Sequence, residues 1–221
     1  MRRLTRYAAV LALLALPACG GIGAARGART PAPVLMFVGD SFTVGSGPVP
    51  RWETYAAHTG RLMGWQPIIA GAGGTGFCNA GRVGRTFERS YELELAWRPA
   101  PDLLVISGGH NDRRWSPDEV RDAAAALLGK VRARWPETET VVVGPIWLKE
   151  PPRKAYRVRD ALAQAAAAQK VPFLDPLHMT WPPEAVLPDG IHPTRAGHER
   201  LAAWLAGELK ARREQGLYQG P

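Results

Sequence analysis

Ser41, Asp189 and His192 are the residues whose types could together do nucleophilic chemistry. A serine hydroxyl is a weak nucleophile until a base takes its proton, and an imidazole is the usual base at neutral pH. In Asp189-Gly190-Ile191-His192-Pro193 the acid and the imidazole stand three residues apart, so on one turn the carboxylate can reach the inner ring nitrogen. The outer nitrogen is then left for a hydroxyl. Ser41 lies in VLMFVGDSFTVGSG, where an unbroken apolar run stops at Gly39-Asp40-Ser41. The chemistry such a set could do is acyl transfer, which also needs donors aimed at the oxyanion of the transition state. Candidates are the backbone amides of the glycines in Ala70-Gly71-Ala72-Gly73-Gly74-Thr75-Gly76 and the side chain of Asn111 in Gly109-His110-Asn111-Asp112. Taken singly, each stretch has a plainer reading: a capped turn for Gly-Asp-Ser, a surface loop for Asp189 and His192, a loop tie for Asn111.

These residues need a frame that brings them together, and the apolar runs supply it. VLMFVG from Val34, PIIAG near residue 69, LLVISG at 103–108, TVVVG at 140–144 and VPFLD at 171–175 are short and continuous, which predicts strands covered on both faces. Between them Ser116-Pro117-Asp118-Glu119 supplies an N-cap, a proline at the first helical position and a capping-box acid. Val120, Ala124, Leu127, Val131 and Trp135 follow on one helical face. Residues 153–170 and 194–213 predict further helices, the last burying Leu201, Trp204, Leu205 and Leu209. Strands alternating with helices predict a parallel five-stranded sheet in a three-layer α/β/α sandwich. Ligands in such sheets bind beyond the carboxyl ends of the strands, and Ser41, the glycine-rich loop and Asn111 all fall there.

A rival reading comes from Gly71-Ala72-Gly73-Gly74-Thr75-Gly76, which satisfies the dinucleotide pattern G-x-G-x-x-G and has acids such as Glu92 downstream. That pattern requires a helix to open at the glycines, yet residues 77–84 contain Asn79, Gly81 and Gly84 and have no helical period. Metal binding has as little support, because His58, His110, His178 and His198 show no paired spacing and no cysteine partners. Neither a cofactor nor a metal is expected.

A GDS serine after the first strand, a glycine after the second, Gly-x-Asn-Asp after the third and a late Asp-x-x-His-Pro occur here in that order. In this the chain resembles the SGNH (GDSL) hydrolase family over essentially all of residues 34–213. The resemblance implies a flavodoxin-like fold, with Ser41 as nucleophile, His192 as base and Asp189 as its partner. It also implies an oxyanion hole from the amides of Ser41 and a glycine and from the Asn111 side chain. By position that glycine is Gly73, with Gly74 the alternative; Asp40 and Asp112 are expected to be structural hydrogen-bonding residues. The activity implied is a serine esterase acting on O-acyl esters of a carbohydrate, a lipid or a small alcohol through an acyl-enzyme. Alternatives on the same scaffold are an O-acyltransferase and a catalytically silent glycan-binding module, the latter disfavoured by the presence of all four site residues. Arg82, Arg85, Arg113 and Arg114 are expected around the pocket, as a solvated rim or as partners for carboxylates and phosphates. Trp115, Trp147 and Trp181 lie near strand ends, where Trp115 and Trp147 could stack on a sugar and the proline-flanked Trp181 suits packing.

The first residues read differently. Arg2, Arg3 and Arg6 precede an apolar run from Tyr7 to Leu16 that is far shorter than the roughly 20 residues needed to cross a bilayer, the pattern of an export signal. Leu16-Pro17-Ala18-Cys19-Gly20 resembles a bacterial lipoprotein box, which implies lipidation of Cys19 and a membrane tether; ordinary cleavage and secretion is the alternative. The expected organisation is a signal over 1–18, a flexible Gly-, Ala-, Arg- and Pro-rich tether over 19–33, the hydrolase domain over 34–213 and a tail over 214–221. With Cys19 lipidated or removed, only Cys78 of the two cysteines remains, so no internal disulfide is expected. Loss of the three signal arginines takes the net charge from +8 to +5, which suits an anionic envelope and calls for no nucleic acid.

Overall fold

A computed structural model describes residues 31–215. The expected signal, Cys19, most of the tether and the end of the tail lie outside the described residues. Five strands, β1 (Val34–Gly39), β2 (Gln66–Gly71), β3 (Leu103–Ser107), β4 (Glu139–Val143) and β5 (Phe173–Leu174), form one parallel sheet in the order β2-β1-β3-β4-β5. The helices are α1 (Ser41–Val44), α2 (Tyr55–Met63), α3 (Phe87–Glu94), α4 (Pro117–Arg134), α5 (Arg153–Ala168) and α6 (Arg195–Glu214). This is the parallel α/β/α sandwich that the pattern of apolar runs predicts, in the flavodoxin-like form that the family resemblance implies.

Side chains alternate across a strand, and β1 divides its residues accordingly between two cores. Leu35 and Phe37 join Leu103, Val105, Val141 and Val143 against Tyr55 of α2 and Leu201, Leu205 and Leu209 of α6. Met36 and Val38 join Leu104, Ile106 and Val142 against helices α3, α4 and α5. Full burial of one such aliphatic side chain contributes about 1.5–3 kcal/mol, so the sheet is held from both faces.

Helix α4 starts as its sequence dictates: Ser116 accepts from Glu119 N–H, and the Glu119 carboxylate accepts from Ser116 N–H at 2.9 Å. Helices α2 and α3 have no such signature. Gly60 lies inside α2, and a Cβ there would crowd the Pro67 ring, so a residue that weakens helix propensity is required by the approach of β2. Only two residues of the predicted run 171–175 pair as β5, because the Asp175 carboxylate folds back to accept from Leu177 N–H at 2.9 Å and pairs with Arg159 at 2.7 Å. Trp204, expected in the core, is only partly buried, whereas Leu201, Leu205 and Leu209 are fully so.

Candidate active site

The strand order reverses direction of growth at β1 and β3, and the crevice beyond their carboxyl ends is where a ligand reaches such a sheet. Ser41 stands directly above β1, since the chain turns from strand to α1 within one residue. Gly39 permits that turn: a Cβ there would overlap Thr43 and press on the Ser107 carbonyl. Gly71, at φ +119°, ends β2 so close to Gly39 that any side chain would collide with the Gly39 carbonyl. Asp40 caps α1 by accepting from Phe42 N–H at 3.0 Å.

The late loop after the fifth strand returns to this point. His192 Nε2 lies 2.9 Å from Ser41 Oγ, and His192 Nδ1–H donates to Asp189 Oδ2 at 2.7 Å. The other oxygen, Asp189 Oδ1, accepts from the amides of Ile191 and His192 at 2.9 and 3.0 Å. Partial burial opposes ionisation of Asp189, but the imidazole and these two amides outweigh it and hold the carboxyl down at about 2. The imidazole is thus oriented by a fixed anion, with its outer nitrogen presented to a hydroxyl. Such an arrangement can take a proton from the serine and return it to a leaving group.

Across the cleft the second and third loops are tied together. The Asp112 carboxylate, fully buried, accepts from three consecutive amides, Phe77, Cys78 and Asn79, at 2.9–3.0 Å. Gly76 leaves the space that this carboxylate fills. Asn111 Nδ2 donates to the Thr75 carbonyl at 2.9 Å and stands 3.5 Å from Asp40 Oδ2, so the amide bridges both loops and faces the serine turn. Gly73 lies against Ser41: a Cβ on it would sit 3.6 Å from the serine Cβ, whereas one on Gly74, at φ +76°, would face open space. The amides of Ser41 and Gly73 have no acceptor among the described residues.

Ser41, Gly73, Asn111 and His192 share the lining of one cavity of about 660 Å³, and Asp189 stands behind His192. The structure therefore brings together every site residue predicted for the folded domain. No helix opens at the glycine loop; α3 begins only at Phe87, which removes the dinucleotide reading. No cluster of three metal-ligating side chains occurs among the described residues. Arg82, Arg113 and Arg114 line the cavity as expected, but Arg85 does not, because it turns away to pair with Glu94 at 2.9 Å. Trp115 lines the cavity, and Trp147 stacks on His110 at 4.1 Å. Trp181 instead packs against the α6 core.

His110 is the cavity residue that sequence spacing left unassigned. Burial drives its imidazole down to about 4 against the opposing bond to the Ile146 carbonyl at 3.2 Å, so it is neutral at pH 7. Phe42 separates it from His192, with ring centroids 5.6 Å from each.

A doubly covered parallel sheet with serine, imidazole and carboxylate in hydrogen-bonded series at its switch point defines a hydrolase of the SGNH type. The chain belongs to the GDSL-like lipase/acylhydrolase family, whose sequence profile matches residues 37–200. It is 30% identical over 188 residues to the GDSL lipase Rv0518 of Mycobacterium tuberculosis, covering 78% of this chain and 79% of that one. Among solved structures, a family two carbohydrate esterase from Clostridium thermocellum in complex with cellohexaose superposes with a TM-score of 0.72 at 20% identity, over 85% of this chain and 66% of that one. The carbohydrate acetylesterase Est24 from Sinorhizobium meliloti gives 0.66 at 22% identity, over 81% and 99%. At these identities the structural likeness speaks to the fold alone.

Proposed function

We propose that the protein hydrolyses short O-acyl esters of a carbohydrate, with Ser41 as nucleophile, His192 as general base and then acid, and Asp189 as the group that orients and stabilises the imidazolium. The observation that carries this reading is the unbroken series Ser41 Oγ, His192, Asp189, with contacts of 2.9 and 2.7 Å. The hydroxyl proton passes to Nε2 as Oγ attacks the acyl carbon. The resulting oxyanion accepts from the amides of Ser41 and Gly73 and from the Asn111 Nδ2 hydrogen that otherwise makes only the long 3.5 Å contact to Asp40, while the other stays on the Thr75 carbonyl and holds the side chain in place. His192 then protonates the departing alcohol, and water, activated in the same way, releases the acid from the acyl-enzyme.

The cavity wall beside Ser41 is made of Gly45, Ser46, Gly73 and Gly74, with Ile191 and Trp115 its large apolar members, which suits a small acyl group better than a long chain. The presence of carbohydrate esterases among the structural relatives agrees with a sugar alcohol. Membership of a family of lipases and acylhydrolases favours water over a second alcohol as the acceptor of the acyl group. In the cell we propose an extracytoplasmic protein tethered through lipidated Cys19, a reading that rests on the basic and apolar residues before Leu16-Pro17-Ala18-Cys19.

The test is covalent labelling by a fluorophosphonate together with turnover of p-nitrophenyl esters of graded acyl length. Label on Ser41, its loss in Ser41→Ala and a preference for acetyl over long acyl groups are expected. Label on another serine, or full turnover in Ser41→Ala, would sink the assignment.

A further inference from the structure

Arg82, Arg113 and Arg114 line the mouth of the cleft, and none of them pairs with a carboxylate among the described residues. A second cavity of about 360 Å³ shares Arg113, Arg114 and Trp115 with the first and adds Lys154 and Arg157 from α5. No Asp or Glu lines either cavity. Of the acids near them along the chain, Asp112 is buried and holds the amides of residues 77–79, Asp118 holds Arg121 at 2.6 Å, Glu119 closes the capping box on Ser116 and Asp160 holds Arg159 at 2.6 Å. Glu150, four residues before Lys154, is exposed and lines neither cavity. By contrast Arg85, Arg89, Arg121, Arg159 and Arg195 each have a carboxylate partner. Five uncompensated cations on one face repel one another, and an anionic ligand relieves that repulsion. Guanidinium groups also match carboxylate and phosphate oxygens in pairs.

We propose that the acylated substrate is an acidic glycan, in which sugars beside the acylated one carry negative groups that Arg82, Arg113, Arg114, Lys154 and Arg157 read. The proposal rests on the esterase reading above and names its substrate class. Extent argues for a chain: the cations run across two adjoining cavities, farther than one small anion needs. Trp115, 41% exposed and shared by both cavities, offers an aromatic face on which a sugar ring can lie. A lipid fits less well, because the described residues that line the cleft are mostly glycine, serine, asparagine, histidine and arginine, with Ile191 and Trp115 the large apolar ones.

The experiment compares the full-length protein with the double variant Lys154→Glu/Arg157→Glu, whose sites are exposed and outside the lining of the cleft that holds Ser41. Substrates are an O-acetylated oligogalacturonide, an O-acetylated xylo-oligosaccharide of equal length, and p-nitrophenyl acetate. The wild type should favour the acidic oligosaccharide in kcat/KM, and the advantage should shrink as ionic strength rises from about 0.05 to about 0.5 M. Exposed charge contacts alter affinity by roughly 1.5- to 5-fold each, so reversing two should raise KM for the acidic substrate on the order of tenfold. Turnover of p-nitrophenyl acetate should be unchanged. Equal kcat/KM for the two oligosaccharides without salt dependence, or an unaltered KM in the variant, would overturn the proposal. So would a variant that loses binding to phosphatidylglycerol vesicles while keeping the acidic preference, which would make the strip a membrane surface. Failure of the wild type to cleave p-nitrophenyl acetate would instead strike the esterase reading itself.

Discussion

Asp40 is the carboxyl whose replacement tests the construction of the site most directly. It is 2% exposed, accepts from Phe42 N–H at 3.0 Å through Oδ1 and has Oδ2 3.5 Å from Asn111 Nδ2. Burial pushes its carboxyl from 3.8 up to about 7; the Phe42 amide opposes the rise and the nearby Asp112 adds to it. Between those values the unfolded chain has released a proton that the folded protein still holds, so stability falls as pH rises. At about 1.4 kcal/mol per pH unit over roughly three units, the loss reaches about 4 kcal/mol once the pH is above 7. Asp40→Asn keeps an acceptor for Phe42 N–H but cannot ionise. Its unfolding free energy relative to wild type should therefore climb by about 4 kcal/mol between about pH 4 and pH 8. Urea unfolding at unit steps of pH measures that difference, and titrations common to both proteins cancel. A difference constant to about 1 kcal/mol, or one that shrinks as pH rises, would mean that folding does not raise the Asp40 carboxyl.

Three further outcomes are expected. Asn111→Ala should lower kcat by about 100- to 1000-fold with KM little changed, because an oxyanion donor acts in the transition state; raised KM at unaltered kcat would remove Asn111 from that role. Since Asn111 also bonds the Thr75 carbonyl, its loss should lower Tm by a few degrees as well, about 1 kcal/mol, so the split between kcat and KM is the deciding readout. Asp189→Ala should reduce kcat less than Ser41→Ala does, and because the carboxyl is held at about 2, the wild type should show no acid limb from Asp189 in kcat above about pH 3; an equal loss in the two variants would count against an orienting role. Cys19→Ser in the full chain should release the protein from the membrane fraction or stall its processing, and wild type found soluble without lipid on its N-terminus by mass spectrometry would reject the tether.

The sheet was legible because each strand is a short apolar run that meets two cores, and burial on both faces erases the polar alternation that would otherwise blur it. Helix α4 was legible through its capping box. Helices α2 and α3 were not: Gly60 answers to Pro67 and the α3 cap is the single Thr86, whose hydroxyl accepts from Arg89 N–H at 3.4 Å. At the site, Ser41, Asp189, His192 and Asn111 were each visible in a motif with fixed order, whereas the glycine-dense loop left Gly73 and Gly74 open, and only the folded chain puts Gly73 against Ser41. His110 was not, because its part depends on Phe42, Ile146 and Trp147, which only the folded chain brings to it. Arg85 looked like its neighbours in sequence, and only its reach to Glu94 separates it from the cationic rim.

The two buried carboxylates explain why the site tolerates an unfavourable arrangement of charge. Asp40 and Asp112 are both pushed up by burial, a cost to folding in any single group. Yet each holds a segment that the proposed chemistry needs: Asp40 fixes the turn that presents Ser41, and Asp112 gathers the amides of residues 77–79 and so sets the glycine loop. Asn111 links the two through Asp40 and Thr75. A donor that must meet a developing oxyanion gains most when it need not move at the moment of reaction, and loops alone are too mobile to guarantee that. Rigid placement of Ser41, Gly73 and Asn111 is thus obtained by anchoring three different strand ends to buried acids, and stability at neutral pH is what that placement costs.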